Sequence, residues 1–408
     1  MGRETQEEFD MIPDAVDFEM RGGSHPDPQM NSYEKGVAEN AYNLVNTSPQ
    51  WTELGYKTAY NFLYLNNFYG TRDPGILAIL NKLQPYPVMV EMEVTQAVCP
   101  LRCKFCELTY WDEKPLQLSF EDFKYAMDQF PDLKWAGINA LGDPFTNPRY
   151  YDMVKYLDDK GVAQEIYMTT FLQEEADMKK FVDLHGMVMT KISFDGATKE
   201  TYENIHQGGD FDKAIRNVKA LDKYKRQAGK FFPRLEFHYI ITKENIHEAE
   251  AFIALVDSLD IYCTDIMFSR MLHNFKEVKD IYIEVPQDLI DRLVQRGKGY
   301  GIPVSVNGDS RAIKPPANEC TQFYMPYIFP DGTIIPCCNG NEANMRKWQR
   351  ENSMGNIFET PFREIWEGEK YRNLRNSLYL KKKESFDPVC KNLCAIHDIS
   401  CGVDKIGN

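Results

Sequence analysis

Residues 88–106 read Val88-Met-Val-Glu-Met-Glu-Val-Thr-Gln-Ala-Val-Cys99-Pro-Leu-Arg-Cys103-Lys-Phe-Cys106. The segment begins with a run typical of a β-strand, predicted over 88–94, and ends in three cysteines at C-x3-C-x2-C spacing. Three closely spaced thiolates are soft ligands that suit an iron–sulfur cluster. Such clusters usually bind four thiolates, so a triplet with no fourth cysteine nearby predicts a cluster with one open iron. A structural zinc loop is the alternative, although zinc normally has four closed ligands at paired C-x2-C spacing.

The bulk composition limits the classes of protein and partner. At 408 residues the chain exceeds the usual size of a single core, which predicts two domains and an extension. No apolar run approaches the roughly 20 residues that span a bilayer, and the acidic N-terminus lacks the apolar core of a signal peptide. We therefore expect a cytoplasmic protein that does not bind membranes. The net charge of −14 repels polyanions, so a nucleic acid is not an expected partner.

The ten cysteines fall into groups. Three lie near residue 100, six lie between Cys320 and Cys401, and Cys263 stands alone. Disulfides are not expected in an acidic chain without a signal peptide, so the grouping predicts two metal centres. Cys263 is expected to be a small buried hydrophobic residue.

Four regions are predicted along the chain. Residues 1–40 show no periodicity and are expected to be disordered or to form a surface arm, and residues 41–85 form a helical extension. Six strand–helix units alternate over 86–300, with strands predicted at 88–94, 135–141, 165–170, 190–194, 234–242 and 264–269. This alternation predicts an α/β fold with a parallel sheet. Six units are fewer than the eight of a closed barrel, which favours an open, TIM-like partial (β/α)6 barrel; a doubly wound sheet is the alternative. Residues 301–408 are expected to form a small Cys-rich β-hairpin and helix domain.

The cysteine triplet, with Phe105 just before the third thiol, resembles the motif of the radical S-adenosylmethionine (SAM) enzymes. The partial barrel is that family's core fold. The resemblance implies that Cys99, Cys103 and Cys106 hold a 4Fe–4S cluster whose open iron binds SAM. It also implies reductive cleavage of SAM to a 5′-deoxyadenosyl radical that abstracts a hydrogen atom from the substrate. The implied electron donor is a flavodoxin or ferredoxin-like protein.

Three further segments resemble the family's SAM-binding motifs. Leu141-Gly142-Asp143-Pro144 stands where the family has Gly-Gly-Glu-Pro, which contacts the SAM amino group; Leu141 and Asp143 depart from that pattern, and a simple strand-to-helix turn is the alternative. The resemblance implies that Gly142, Asp143 and Pro144 bind SAM. It also suggests Thr170, near where the family binds the ribose, and Ser193, which could bond the SAM carboxylate. Asp195 is expected either to serve this site or to cap the next helix.

The C-terminal region resembles the SPASM and twitch extensions of radical SAM enzymes. Cys320, eleven residues, Gly332, four residues and Cys337 match the hairpin that supplies two ligands of an auxiliary 4Fe–4S cluster. The resemblance implies one auxiliary cluster on Cys320, Cys337, Cys390 and Cys394, with Cys401 as a substitute ligand. Neighbouring side chains of an extended strand point to opposite faces, so Cys337 and Cys338 are not both expected to bind one cluster. A second, incompletely ligated cluster and a zinc site stay as alternatives.

The expected function follows from these motifs together. We expect a radical SAM enzyme whose auxiliary cluster assists the oxidation or cross-linking of a peptide or protein side chain. One alternative is a dehydrogenase or epimerase of a small, sugar-like molecule. Another is a non-catalytic iron–sulfur or zinc-stapled binding protein, which would not bind SAM. The sequence does not identify a catalytic acid or base.

Overall fold

The computed structural model describes residues 86–262, 264–271, 276–307, 322–338 and 346–380. The predictions for residues 1–85 and for Cys263, Cys320, Cys390, Cys394 and Cys401 lie outside these described residues. Within them, strands and helices alternate as the sequence predicts.

The described strands and helices have the following bounds. The strands are β1 (Met89–Val98), β2 (Arg102–Cys103), β3 (Leu116–Gln117), β4 (Trp135–Gly142), β5 (Ala163–Met168), β6 (Met187–Ser193), β7 (His206–Gln207), β8 (Arg234–Ile241), β9 (Thr264–Arg270), β10 (Val304–Asn307), β11 (Tyr327–Ile328), β12 (Thr333–Ile335) and β13 (Gly355–Asn356). The α-helices are α1 (Phe120–Asp128), α2 (Tyr150–Asp159), α3 (Glu175–Asp183), α4 (Lys199–Ile205), α5 (Phe211–Ala228), α6 (Ala249–Ser258), α7 (Gln287–Tyr300), α8 (Arg346–Glu351), α9 (Phe362–Glu367) and α10 (Glu369–Leu380).

Seven parallel strands form the main sheet, in the order β10-β9-β8-β6-β5-β4-β1. Helices connect strands that are neighbours in this order, as parallel pairing requires. The six predicted strand–helix units are therefore confirmed, and β10 adds a seventh strand after α7. In the described part of the chain, the order of the sheet ends at β10 on one side and at β13 on the other, which agrees with an open barrel.

Local sequence explains where several helices begin and end. The Ser119 hydroxyl accepts a hydrogen bond from the Asp122 N–H and begins α1, as its sequence predicts. Thr198 and Asp210 cap α4 and α5 in the same way. Gly229, at φ +62°, ends α5 because glycine adopts the left-handed conformation without strain.

The two faces of β1 differ in chemistry. Val90, Met92 and Val94 are fully buried in the main hydrophobic core. The alternate residues Glu91 and Glu93 occupy the opposite face, because successive side chains of a strand point in opposite directions. The concave side of the sheet, which we call the lumen, is thus polar along β1.

The predicted C-terminal hairpin extends the main sheet. β11 pairs in parallel with β1, matching Tyr327 with Glu91, and β12 pairs antiparallel with β11. The return strand ends at Ile335, so Cys337 and Cys338 lie beyond it. The expectation that Cys337 and Cys338 point to opposite faces of a strand was therefore wrong, because neither residue belongs to the strand. The Cys337 side chain is buried, and Cys338 is partly exposed.

None of the helices in the described ranges is both long enough and apolar enough to cross a membrane.

Candidate functional site

Cys99, Cys103 and Cys106 lie in one loop that follows the carboxyl end of β1. All three are partly buried free thiols. The strand is irregular as it enters the loop, with shifts in its pairing to β4 between Glu93 and Val98 and a φ of +58° at Ala97. A non-glycine residue in this conformation is strained, and such strain is typical of functional sites.

Hydrogen bonds to its backbone hold the cysteine loop. Arg102 Nη1 donates to the Cys99 carbonyl at 2.8 Å, and Thr109 Oγ1 donates to the Cys103 carbonyl at 2.8 Å. The Cys106 N–H also donates to the Cys103 carbonyl, at 3.1 Å. These contacts fix the carbonyl groups of the loop and so position its three thiols.

The donor set fits an iron–sulfur cluster. Burial raises the pKa of the Cys99 thiol to about 11, and burial and neighbouring negative charges raise the pKa values of Cys103 and Cys106. Three thiolates so close together need a cationic group to stabilise them. No three potential ligands among the described residues converge on one ion. A 4Fe–4S cluster does not require that convergence, because each thiolate binds a different iron.

A buried histidine and aspartate lie behind the second cysteine. β2 pairs with β7, placing Cys103 opposite His206, whose Nδ1 is 3.2 Å from Cys103 Sγ. His206 Nε2 lies 2.7 Å from Asp195 Oδ2, although the two groups are not aligned as a hydrogen bond. The prediction that Asp195 caps the next helix was wrong, because Thr198 is the N-cap of α4. No sequence signal singled out His206.

The segment 142–144 ties the end of β4 to the cysteine loop. Gly142 has a φ of +141°, and a Cβ atom there would lie 2.4 Å from the Val98 carbonyl oxygen, so this approach requires glycine. The buried Asp143 carboxylate accepts hydrogen bonds from the Phe145 N–H and from Thr169 Oγ1, both at 2.9 Å. Burial raises the pKa of Asp143 to about 6. Pro144 begins the short 3-10 helix that follows.

The two other predicted SAM contacts differ in their surroundings. Thr170 has a φ of +64°, and its buried hydroxyl donates to the Thr169 carbonyl at 2.7 Å. That hydroxyl also lies 3.5 Å from the Ala214 carbonyl in α5, whereas the Thr169 side chain contacts Asp143. Ser193 is half-buried at the end of β6, opposite His238. Roles for Gly142, Asp143, Pro144, Thr170 and Ser193 in SAM binding stay predictions.

Charged side chains line the lumen beneath this loop. Lys191 on β6 lies 2.8 Å from Glu165 on β5 and 3.9 Å from Glu236 on β8. Burial opposes the charge on Lys191, but its anionic neighbours hold its pKa well above the usual range. Burial lowers the pKa of His238 to about 4, so its ring is neutral near pH 7 and contacts Ser269 Oγ at 2.7 Å. A lumen lined by polar side chains suits a polar substrate.

A second charged network joins the C-terminal segment to the lumen. Arg346 on α8 forms a fully buried ion pair with Glu93, at 2.5 Å between Nη2 and Oε2. The Tyr327 hydroxyl donates to Glu93 Oε1 at 2.8 Å. The Arg346 guanidinium lies 3.9 Å from the centre of the Phe329 ring. These contacts fasten both α8 and the hairpin to β1.

Two family models match the chain one after the other. The model described as the radical SAM superfamily matches residues 94–256, which include the cysteine triplet and most of the parallel sheet. The model described as SPASM, an iron–sulfur cluster-binding domain, matches residues 320–395.

Similar curated proteins include two that align over most of the chain. The tungsten-containing aldehyde ferredoxin oxidoreductase cofactor-modifying protein of Pyrococcus furiosus is 23% identical over 329 residues, covering 75% of this chain and 87% of that protein. The AdoMet-dependent heme synthase of Methanosarcina barkeri is 25% identical over 327 residues, covering 73% and 87%. The mycofactocin maturase MftC of Mycobacterium tuberculosis is 25% identical over 170 residues, covering 41% of each chain.

Solved structures with the same fold include proteins bound to a peptide or to AdoMet. Streptococcus suis SuiB bound to its precursor peptide SuiA aligns with a TM-score of 0.56 at 16% identity, covering 90% of this chain and 85% of SuiB. A tagged form of anSMEcpe with bound AdoMet aligns with a TM-score of 0.53 at 15% identity, covering 76% and 86%. At these identities the similarity supports the fold alone, and it confirms the predicted α/β partial barrel.

Proposed function

Because this chain belongs to the radical SAM superfamily and carries a SPASM domain, we propose that it oxidises or cross-links a side chain of a peptide or protein. The protein is an enzyme that uses a 4Fe–4S cluster, SAM and auxiliary iron–sulfur binding in its SPASM domain. When bound, the first cluster would supply the electron for reductive cleavage of SAM. Cys99, Cys103 and Cys106 would hold that cluster, and Cys320, Cys337, Cys390 and Cys394 an auxiliary one.

The positions of Cys99 and Cys337 support this proposal. Cys99 follows the carboxyl end of β1. β12 runs antiparallel to β1, and its last residue, Ile335, pairs with Tyr327 at the level of Glu91. Cys337, two residues further on, therefore lies toward the amino end of β1. A substrate in the polar lumen would lie between Cys99 and Cys337, and this placement suits a net oxidation of the substrate.

The chain's own residues would orient the substrate and exclude water. The lumen presents Glu165, Lys191 and Glu236 to polar groups of a substrate, while His238 is neutral and contacts Ser269. Positioning and exclusion of water are the main contributions of a protein to radical chemistry performed by a cofactor. A flavodoxin or ferredoxin-like protein is proposed as the electron donor.

The similar proteins support two substrate classes. SuiB was solved with a precursor peptide, and MftC is named as a maturase, which favours a peptide here. Two relatives, each aligned over 87% of its own length, are named for cofactor modification and for heme synthesis. A small-molecule substrate is therefore the second candidate.

The function is tested by anaerobic reconstitution with iron and sulfide. We expect about eight irons per chain, and formation of 5′-deoxyadenosine after addition of dithionite and SAM. Changing Cys99, Cys103 and Cys106 together to Ala should leave about four irons and abolish 5′-deoxyadenosine. Cys263→Ala, which removes a thiol outside both groups, is the matched control and should change neither. Tightly bound zinc without SAM cleavage would contradict the proposal.

The two substrate classes are then separated by the product. The reconstituted enzyme is incubated with SAM, dithionite and extracts of its host that have been divided at about 1 kDa. Mass loss of two hydrogens in a peptide of the larger fraction supports the proposed function. The same change confined to the smaller fraction would support the second candidate instead.

A further inference from the structure

Three buried carboxylates from different strands face the same part of the lumen. They are Glu91 on β1, Glu165 on β5 and Glu236 on β8, with exposed fractions of 9%, 8% and 8%. The register places Gly137 between Glu91 and Glu165. A Cβ atom on Gly137 would lie 2.9 Å from Trp135 Cη2 and 3.1 Å from Glu91 Cγ, so the Glu91 and Trp135 side chains share the space above this glycine.

Among the described residues, the basic groups around these carboxylates are fewer than the acidic ones. Lys191 pairs with Glu165 and is 3.9 Å from Glu236. Arg234 pairs with Asp265 and also acts on Glu236, while Arg346 pairs with Glu93. Lys191 and Arg234 are therefore the described cations that act on Glu91, Glu165, Glu236 and Asp265, four acidic groups.

Two of the three carboxylates also lack hydrogen-bond donors. The Glu91 carboxylate makes no hydrogen bond or ion pair with the described residues, and Glu236 Oε1 is buried without a donor. Burial raises the pKa values of Glu91 and Glu236 to about 8 and about 7, so near pH 7 Glu91 is mostly protonated and Glu236 partly so, and a bound cation would favour their charged forms. Buried polar atoms in folded proteins are nearly always hydrogen-bonded, so acceptors left open in a lumen indicate an absent donor.

The lumen beneath the carboxylates is apolar. Trp135, Ala163 and Met189 form a small hydrophobic cluster there, joined by Met89 and Phe232. These residues lie at the amino ends of their strands or near them, so apolar side chains pack on that side of the carboxylates. We therefore expect a ligand to reach the carboxylates from the side of the cysteine loop.

We propose that Glu91, Glu165 and Glu236 bind the ammonium or guanidinium group of a Lys or Arg side chain in the substrate. Such a group supplies both the positive charge and the several N–H donors that the site lacks. Lys191 orients Glu165 through their ion pair, and the carboxylates of Glu91 and Glu236 supply the open acceptor oxygens for the ligand. This inference rests on the proposed function and narrows its peptide substrate to one with a basic residue.

The test measures binding of three small probes to the reconstituted, SAM-loaded enzyme by anaerobic calorimetry. The probes are Nα-acetyl-lysine N-methylamide, its arginine counterpart, and the uncharged norleucine counterpart. We expect a basic probe to bind at least tenfold more tightly than norleucine. Glu91→Gln and Glu236→Gln should each weaken that binding at least tenfold, while Glu200→Gln, on an exposed residue of α4, should not change it. Equal binding of all three probes, or undiminished binding by Glu91→Gln, overturns the inference.

Two further readouts separate the causes of failure. Thermal unfolding of Glu91→Gln should occur at the same or a higher temperature than in the wild type, because the change removes an unpaired buried carboxylate. Loss of binding in a folded variant then reports the site itself. Formation of 5′-deoxyadenosine without selective binding of a basic probe would refute only the cation site. Selective binding without any 5′-deoxyadenosine would refute the proposed function.

Discussion

Replacing Arg346 by Met should destabilise the protein more than most single substitutions do. Arg346 is fully buried against Glu93, and its guanidinium also stacks on Phe329. The substitution leaves the Glu93 carboxylate buried at the centre of the sheet with the Tyr327 hydroxyl as its remaining charge-stabilising partner. We chose Met because it preserves much of the side-chain volume while removing the charge.

The magnitude follows from these two contacts. Removing one partner of a buried ion pair costs about 3–5 kcal/mol. The lost cation–π contact adds about 1 kcal/mol. A loss of that size lowers the melting temperature by on the order of 10 °C. The neighbouring Lys347 side chain is 85% exposed, so Lys347→Met should change stability by less than about 0.5 kcal/mol.

The loss should depend on pH. Burial raises the pKa of Glu93 above its unfolded value even beside Arg346, and removing Arg346 raises it further. A carboxyl group with a raised folded pKa destabilises the protein increasingly as pH rises above its unfolded pKa, near 4.5 for Glu93. The difference between wild type and Arg346→Met should therefore be smallest near pH 5 and largest near pH 8.

Anaerobic urea unfolding of the reconstituted protein at both pH values measures the effect, with hydrogen exchange of β11 and β12 as a local readout. The double variant Glu93→Gln, Arg346→Met removes both charges and should recover most of the loss. If Arg346→Met unfolds like Lys347→Met, or if the double variant is no more stable than the single one, the ion pair does not hold the C-terminal segment to the sheet.

Three other predictions concern the site. Gly142→Ala should reduce iron per chain and lower the melting temperature, because its Cβ would lie 2.4 Å from the Val98 carbonyl; normal iron content would contradict the tight approach. Asp143→Asn should weaken SAM binding about tenfold in equilibrium dialysis, because it disturbs the hydrogen bond that the Asp143 carboxylate accepts from Thr169. Unchanged affinity would show that Asp143 caps the following helix without contributing to SAM binding. Wild type should lose stability relative to Glu91→Gln as pH rises from about 5 to 8, because the folded pKa of Glu91 is about 8. At pH 7, about 2.5 units above an unfolded pKa near 4.5, the difference is about 3 kcal/mol in chemical denaturation, and a pH-independent difference would contradict it.

Much of the fold can be predicted from the sequence because its strands and helices carry local signals. Each predicted barrel strand is present within a few residues of its expected bounds, and Lys199–Ile205 is helical as expected. The strand Val304–Asn307 was missed because it is short and is stabilised by pairing with Thr264–Arg270. The two-residue strands at Arg102–Cys103 and His206–Gln207 were missed for the same reason, since neither forms without the other.

The candidate site likewise has a part that can be predicted from local sequence and a part that depends on contacts between distant residues. The cysteine triplet is recognisable because all its ligands fall within eight residues of sequence. The contact between Cys103 and His206 joins residues 103 positions apart, and no local pattern predicts it. Glu91 and Glu93 can be recognised in the sequence as acidic residues that alternate with apolar ones in a strand. The residues around them come from other parts of the chain, as Arg346 beside Glu93 shows, and cannot be predicted locally.

The alternation of apolar and acidic residues along β1 indicates where the lumen binds a ligand. Strands of parallel sheets covered on both faces are usually apolar on both, because burying a charge destabilises the fold. In β1 the apolar face is kept for packing against helices, while Glu91 and Glu93 face the lumen. The fold supplies Arg346 to Glu93 and supplies Glu91 with no cation of its own among the described residues. The two acids of this strand thus differ in their partners. Glu93 is paired with an arginine of the chain, whereas Glu91, with its pKa raised to about 8, marks the part of the lumen where we expect a cationic ligand to bind.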